Sequence, residues 1–160
     1  MFTGKFNDKT VERKDADTRA KRTVCFRDVF TPTDGLQAAL IMTFQIDPVF
    51  IVSRVPELLS IPTVFVHAAY DPRLTPEFYR SMSPHFTLHM PRMPGNIGCH
   101  HSKIMLLRYA DRLRVAVTTA NALGGDWEGV VNGVWMQDFP LRPPGKSVSC
   151  TPGAGLSPLL

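Results

Sequence analysis

Short apolar runs broken by turn residues dominate the chain, and the clearest pattern lies between residues 95 and 121. Over 102–109 and 113–119 the residues are apolar, β-branched or aromatic, with Ala110-Asp111 between them, which predicts two strands joined by a two-residue turn. A turn centred there pairs residues whose numbers sum to about 221, so Lys103 faces Thr118 and His101 faces Ala120. The side-chain period of two places His101 and Lys103 on one face of the first strand and His100 and Ser102 on the other. Asn121 then lies about one residue from His101, at the open end of the hairpin.

The other elements follow from similar signals. Residues 1–22 mix charges without apolar periodicity and read as a disordered or weakly helical arm. The folded part begins near Val24-Cys25-Phe26, and Thr31-Pro32-Thr33-Asp34 is a turn or helix start. Residues 36–46 are apolar enough to be buried as helix or strand; the half from 41 to 46, closed by Asp47-Pro48, reads as the strand. A short helix is expected over 49–55, stopped by Pro56. Residues 62–67 form a short apolar run bounded by prolines, the pattern of a strand buried on both faces, and His67 at its end reads as structural rather than catalytic. Thr75 caps a helix with Pro76 at its first position. A strand follows over 86–90, then a Pro/Gly loop over 91–98, in which Gly95 and Gly98 allow close backbone approach. Residues 122–126 read as a loop and 133–139 as a further strand, with Trp127 and Trp135 as core or site-wall aromatics. From Pro143 onward ten of eighteen residues are Pro, Gly or Ser, a linker composition. Strands interspersed with short helices point to a layered α/β/α domain around a mixed β-sheet, spanning residues 23–142 between the arm and the tail.

Composition narrows the function classes only a little. At 160 residues and 44% hydrophobic, the chain has room for one core. Its net charge of +4 is concentrated at the start: residues 1–22 hold seven Lys or Arg against four Asp or Glu, so the basicity gives weak support for nucleic-acid binding. Cys25, Cys99 and Cys150 are too few and too scattered for a disulfide framework or a zinc ligand set, which suits a reducing, intracellular setting. No run approaches eighteen uninterrupted apolar residues, so no membrane partner is expected.

The candidate chemistry is an imidazole, an ammonium and a carboxamide converging at the hairpin end. His101 can form a covalent phosphoryl intermediate, while Lys103 and Asn121 hold the non-bridging oxygens of a phosphate. By spacing alone a His and a Lys two apart on a strand also fit a solvated face. His100, pointing away, reads as a hydrogen-bonded support, and Cys99 as inert.

His-x-Lys at 101–103 is the signature of the phospholipase D superfamily, whose usual form continues with four residues and an Asp. Here that position is Arg108, and Asn121 stands eighteen residues after Lys103, followed by Gly125-Asp126-Trp127 and Gly133-Val134-Trp135. Over residues 24–142 this arrangement resembles the N-terminal half of the tyrosyl-DNA phosphodiesterase family. The resemblance implies a phospholipase D-like fold and a nuclear DNA-repair phosphodiesterase acting without metal or other cofactor. Its partner would be DNA, single-stranded or at a 3′ end, carrying a tyrosyl-peptide adduct left by topoisomerase I. It implies that His101 is the nucleophile and that Lys103 and Asn121 bind the phosphate. It also implies a second His, from a C-terminal half, as general acid and base, and the sequence contains no second His-x-Lys. A homodimer, a missing C-terminal half and an inactive DNA-binding or regulatory fragment all fit that lack. The position matching an aromatic able to stack on a base is Ile97. A lipid phosphodiesterase is disfavoured by Arg108 in place of the motif Asp.

Overall fold

A computed structural model describes residues 2–4, 24–68, 71–92 and 98–142. Its elements in chain order are β1 (Phe2–Gly4), α1 (Phe26–Phe30), β2 (Leu36–Met42), α2 (Pro48–Arg54), a 3-10 turn (Pro56–Ser60), β3 (Thr63–Val66), α3 (Pro76–Met82), β4 (Phe86–His89), β5 (Ile104–Tyr109), β6 (Arg112–Thr118), α4 (Gly124–Glu128) and β7 (Asn132–Pro140). The strands form one sheet in the order β1-β7-β6-β5-β2-β3-β4. Strands β2, β3 and β4 are parallel and the remaining pairs antiparallel, so the sheet is mixed as the sequence predicts.

The hairpin register is the predicted one. Ile104 pairs with Val117, Leu106 with Val115 and Arg108 with Leu113, each pair summing to 221. The turn is Ala110-Asp111, and Gly35 at φ 76 makes the neighbouring bend whose carbonyl accepts from the Ala110 N–H. Asp47 caps α2 through the Phe50 N–H at 3.0 Å, and Thr75 caps α3 through the Phe78 N–H at 3.2 Å, each with Pro following at the first helical position.

Ala39, Ile41, Phe65, Met105, Leu107, Tyr109 and Ala116 share one face of the sheet, as the register and the period of two require. All four helices pack there. Tyr109 donates its hydroxyl to the Phe30 carbonyl at 2.6 Å, anchoring α1. Phe26 of α1 touches Phe50 of α2 and Trp127 of α4, and Tyr79 of α3 lies on Phe65. Buried Arg114 spends its guanidinium on Asp138 and on the carbonyls of Val29 and Thr31, so it ties β6 and β7 to α1 without an uncompensated charge. Among the described residues the second helical layer of the expected α/β/α arrangement is not seen. The opposite face instead shows Val117, Trp135 and Phe139, each more than two-fifths exposed.

Other expectations are corrected. Phe2–Gly4 lies within the arm expected to be disordered, yet it pairs antiparallel with Asn132–Val134 of β7. An edge strand offers unpaired N–H and C=O groups to any extended segment, whatever its apolar period. The remainder of the arm and the tail from 143 lie outside the described residues. The strand placed at 41–46 runs from Leu36 to Met42, because β3 and β5 pair with it on both sides and outweigh the weak strand preference of Gln37, Ala38 and Ala39. Residues 122–126, read as a loop, run into the helix α4, which forms despite two glycines because Trp127 is buried against Phe26. Trp135 is a surface residue opposite Val117 rather than a core one. Among the described residues no helix is long and apolar enough to cross a membrane.

Candidate active site

The hairpin ladder ends with the Thr118 N–H donating to the Lys103 carbonyl at 3.0 Å. Beyond it the two chains part. Residues 119–122 turn towards the segment that links β2 to α2, with Ile46 and Ala122 forming a parallel bridge. The Asp47 N–H donates to the Ala122 carbonyl at 2.9 Å, and the Ala122 N–H donates to the Thr43 hydroxyl at 3.1 Å. Residues 98–103 are irregular, entering through Gly98 at φ 93, a conformation glycine adopts without strain.

Phe44 and Gln45, at the crest of that β2–α2 link, organise the candidate side chains. The His101 ring lies on Phe44, centroids 4.6 Å apart, and Lys103 Nζ sits 5.7 Å from the same ring centre. Lys103 Nζ is 3.2 Å from His101 Nδ1 and 3.5 Å from Nε2, and it also donates to the His101 carbonyl at 3.1 Å. Asn121 Oδ1 accepts from the Gln45 N–H at 3.3 Å. The structure therefore brings His101 and Lys103 into contact and sets Asn121 on the residue next to the one that carries His101. The register pairing of His101 with Ala120 is not continued by the ladder.

Asn121 is the most tightly held of the three. Its backbone N–H and its Nδ2 both donate to Asp126 Oδ2, at 2.7 and 2.9 Å, and its carbonyl accepts from Trp127 Nε1 at 2.8 Å. Asp126 can only accept and the Gln45 N–H can only donate, so the orientation of the carboxamide is settled by its partners and one Nδ2 proton is left to donate outwards. Asp126, Gln45 and Phe44 carried no role in the sequence reading. The Gly125-Asp126-Trp127 run, which starts four residues after Asn121, was the available signal for Asp126; nothing local marks Phe44 or Gln45.

Of the four other histidines, His67 and His100 were also singled out by the sequence. His67 is buried, Nδ1 at 2.7 Å from the Ala68 carbonyl and Nε2 at 3.0 Å from the Tyr79 hydroxyl. Its neutral form thus donates at Nδ1 and accepts at Nε2. Burial first, and then repulsion from His100, lower its pKa, while the Ala68 contact opposes them. Burial likewise pushes the Tyr79 phenol up. This is the structural role expected of His67. At His100 the Nε2 is sealed from solvent and has no hydrogen-bond partner among the described residues. Ile97 lies outside them.

A cleft of about 550 Å³ opens beside Phe44, walled by Gln45, Ile46, His67, Leu74 and Leu123, with Asp71 and Arg73 at its rim. The Arg73 guanidinium grips both Asp71 carboxylate oxygens and holds that carboxyl at a pKa of about 2.

The sequence matches the tyrosyl-DNA phosphodiesterase family over residues 5–153, past both ends of the 24–142 span that carried the resemblance. It is 39% identical over 107 residues to tyrosyl-DNA phosphodiesterase 1 of Arabidopsis thaliana, covering 66% of this chain and 17% of that protein. The fold matches the crystal structure of the yeast tyrosyl-DNA phosphodiesterase with a TM-score of 0.61 at 15% identity, covering 79% of this chain and 31% of that one. NucT from Helicobacter pylori matches with a TM-score of 0.50 at 12% identity, over 66% of this chain and 70% of that one. The chain thus spans less than a third of the yeast structure, whose likeness at such identity speaks for the fold. On the extent of the family match, this chain belongs to the tyrosyl-DNA phosphodiesterase family.

Proposed function

We propose that the chain is the nucleophile-bearing half of a DNA-repair phosphodiesterase that cleaves the 3′-phosphotyrosyl bond between DNA and topoisomerase I, in the nucleus. The observation that carries this reading is the junction at Phe44-Gln45, which holds His101 with Lys103 on one residue and Asn121 on the next. A ring nitrogen of His101 attacks phosphorus in line, the P–O bond to tyrosine breaks, and the phenolate leaves with the electron pair. Lys103 and the outward Nδ2 proton of Asn121 hold the equatorial oxygens; loss of one such donor costs roughly 10²–10³-fold in rate. Water then adds to phosphorus, the P–N bond breaks, and a 3′-phosphate is released with the imidazole restored. That second step calls for a base, and the sequence offers a single His-x-Lys, so a second half or a second copy would supply it. The same count favours a second reading, a DNA-binding or regulatory piece without turnover.

The test is hydrolysis of a 3′-phosphotyrosyl oligonucleotide by purified chain over a range of concentrations, with His101→Ala as control. A phosphohistidine adduct that forms in the wild type and is absent from His101→Ala supports the nucleophile assignment. Turnover rising with the square of protein concentration supports a dimer. Full enzyme-like turnover by a demonstrated monomer refutes the half-site argument, and no adduct at any concentration leaves the non-catalytic reading.

A further inference from the structure

We propose that Thr43 is a positioning residue of the site, its buried hydroxyl setting where Asn121 stands relative to His101. The inference rests on the reading above that His101, Lys103 and Asn121 act on one phosphate. Thr43 is 1% exposed and directly follows β2. Its own N–H donates to the Val66 carbonyl at 3.0 Å, so its place is fixed by the parallel pairing of β2 with β3.

The hydroxyl has one proton and two lone pairs, and its partners decide how they are used. The Gln45 carbonyl can only accept, so the proton goes there, at 2.8 Å. The Ala122 N–H can only donate, and it meets a lone pair at 3.1 Å. One oxygen therefore closes the bend that has Phe44 at its crest and ties that bend to the residue after Asn121. Both backbone groups of Gln45 serve this junction, the carbonyl bonded to Thr43 and the N–H to Asn121 Oδ1 at 3.3 Å. On the other side of Asn121, the buried Thr118 hydroxyl donates to the Ala120 carbonyl at 2.8 Å. That bond is local to its own turn, whereas Thr43 reaches across 79 residues and refers Asn121 to the frame of β2.

Asp126 settles which way the Asn121 carboxamide is turned. Thr43 settles how far it stands from His101, whose ring rides on Phe44 in the same bend. Without the hydroxyl the Ala122 N–H loses its acceptor at a residue 1% exposed. The Ile46–Ala122 bridge and the bond from the Asp47 N–H to the Ala122 carbonyl still hold the two segments together. The expected damage is a displaced Asn121 and not a lost fold.

The experiment compares the full wild-type chain with Thr43→Val, which keeps the shape and removes the hydroxyl, and Thr43→Ser, which keeps the hydroxyl. Thr75→Ala, which removes the α3 cap and none of these bonds, serves as the control for lost stability. The first readout is amide exchange, which needs no reaction. The Gln45 amide should exchange ~3- to 10-fold faster in Thr43→Val, the range for one hydrogen bond, as it should in Asn121→Ala. It should stay at its wild-type rate in Thr43→Ser and Thr75→Ala, whereas a purely structural role would move core and site amides together. The second readout is the single-turnover rate of the His101 adduct from a 3′-phosphotyrosyl oligonucleotide, with binding of a strand ending in a 3′-phosphate measured separately. Thr43→Val should slow the adduct by ~10- to 100-fold with binding unchanged, a part of the loss expected when the donor is removed outright. Thr43→Ser should restore the rate, and Thr43→Val added to Asn121→Ala should cost little more. Thr43→Cys, a weaker donor and acceptor of similar size, should fall between the two and takes the place of Thr43→Val should that chain not fold. Unchanged Gln45 exchange in Thr43→Val, a Thr43→Ser chain as impaired as Thr43→Val, or an undiminished effect in Asn121→Ala overturns the assignment. No adduct from the wild type would sink the proposed function, and Gln45 exchange would then decide the role of Thr43 by itself.

Discussion

Asp126 is the residue on which the orientation of Asn121 depends, and Asp126→Ala removes two bonds at once. The carboxylate accepts the Asn121 backbone N–H at 2.7 Å and Nδ2 at 2.9 Å, and both residues are half-buried. Hydrogen bonds to a charged group contribute ~1.5–3 kcal/mol each, and partial exposure argues for the lower end, so the pair is worth about 3 kcal/mol. Against a marginal stability of ~5–15 kcal/mol that is a large fraction. Urea unfolding at pH 7 should show a midpoint lowered by about 1–2 M. Asp126→Asn, which keeps an acceptor oxygen but not the charge, should cost roughly half as much. Asn121→Ala keeps the backbone bond and loses only the side-chain ones, so about 1 kcal/mol is expected. The double variant should then be less destabilised than the sum by about 1 kcal/mol, the coupling of the side-chain bond. An Asp126→Ala chain within ~0.5 kcal/mol of wild type, or strict additivity in the cycle, would refute the claim that Asp126 positions Asn121.

Three further outcomes follow from the geometry. Arg27 grips both carboxylate oxygens of Glu57, at 2.8 and 2.6 Å, and lowers its pKa from 4.5 to about 2. Both side chains are more than a third exposed, so Glu57→Gln should cost only about 1 kcal/mol at pH 7; the difference from wild type should fade between pH 4.5 and 2, as measured by urea unfolding. His67 has its pKa lowered below 6.5, so under acid the unfolded chain binds the proton first and stability falls as pH drops through 6.5. Thermal melts of wild type and His67→Gln at pH 7.5, 6.5 and 5.5 should converge on the acid side, and a constant gap would count against a buried neutral imidazole. Asp47→Ala removes the cap on the Phe50 N–H and should cost about 1 kcal/mol in the same unfolding assay, with Asp47→Ser recovering most of it.

The hairpin was legible because its signals are local. A two-residue turn and a period of two are read from neighbours in the chain, and together they determine every pair from Ile104–Val117 to Arg108–Leu113. Asp47-Pro48 and Thr75-Pro76 announced two helix starts for the same reason, since a cap acts over three residues. The family pattern of His101, Lys103 and Asn121 was legible as residue types at fixed spacings.

What misled the sequence reading was always a partner distant in the chain. Leu36–Met42 is a strand because β3 and β5 flank it, Gly124–Glu128 is a helix because Trp127 finds Phe26, and Phe2–Gly4 is ordered because β7 leaves an edge open. Such pairings outweigh local preferences worth only tenths of a kcal/mol per residue.

By itself, then, the sequence determined the candidate chemistry, the strand register that delivers it and the caps that start two helices, since each is encoded within a few consecutive residues. Only the tertiary structure decided how the site is held. Phe44 comes under His101, and the Gln45 N–H reaches Asn121 across 76 residues, once the sheet sets the β2–α2 link beside the end of β6. No period or spacing in the chain encodes a contact of that range, because it exists only after the core has assembled around it.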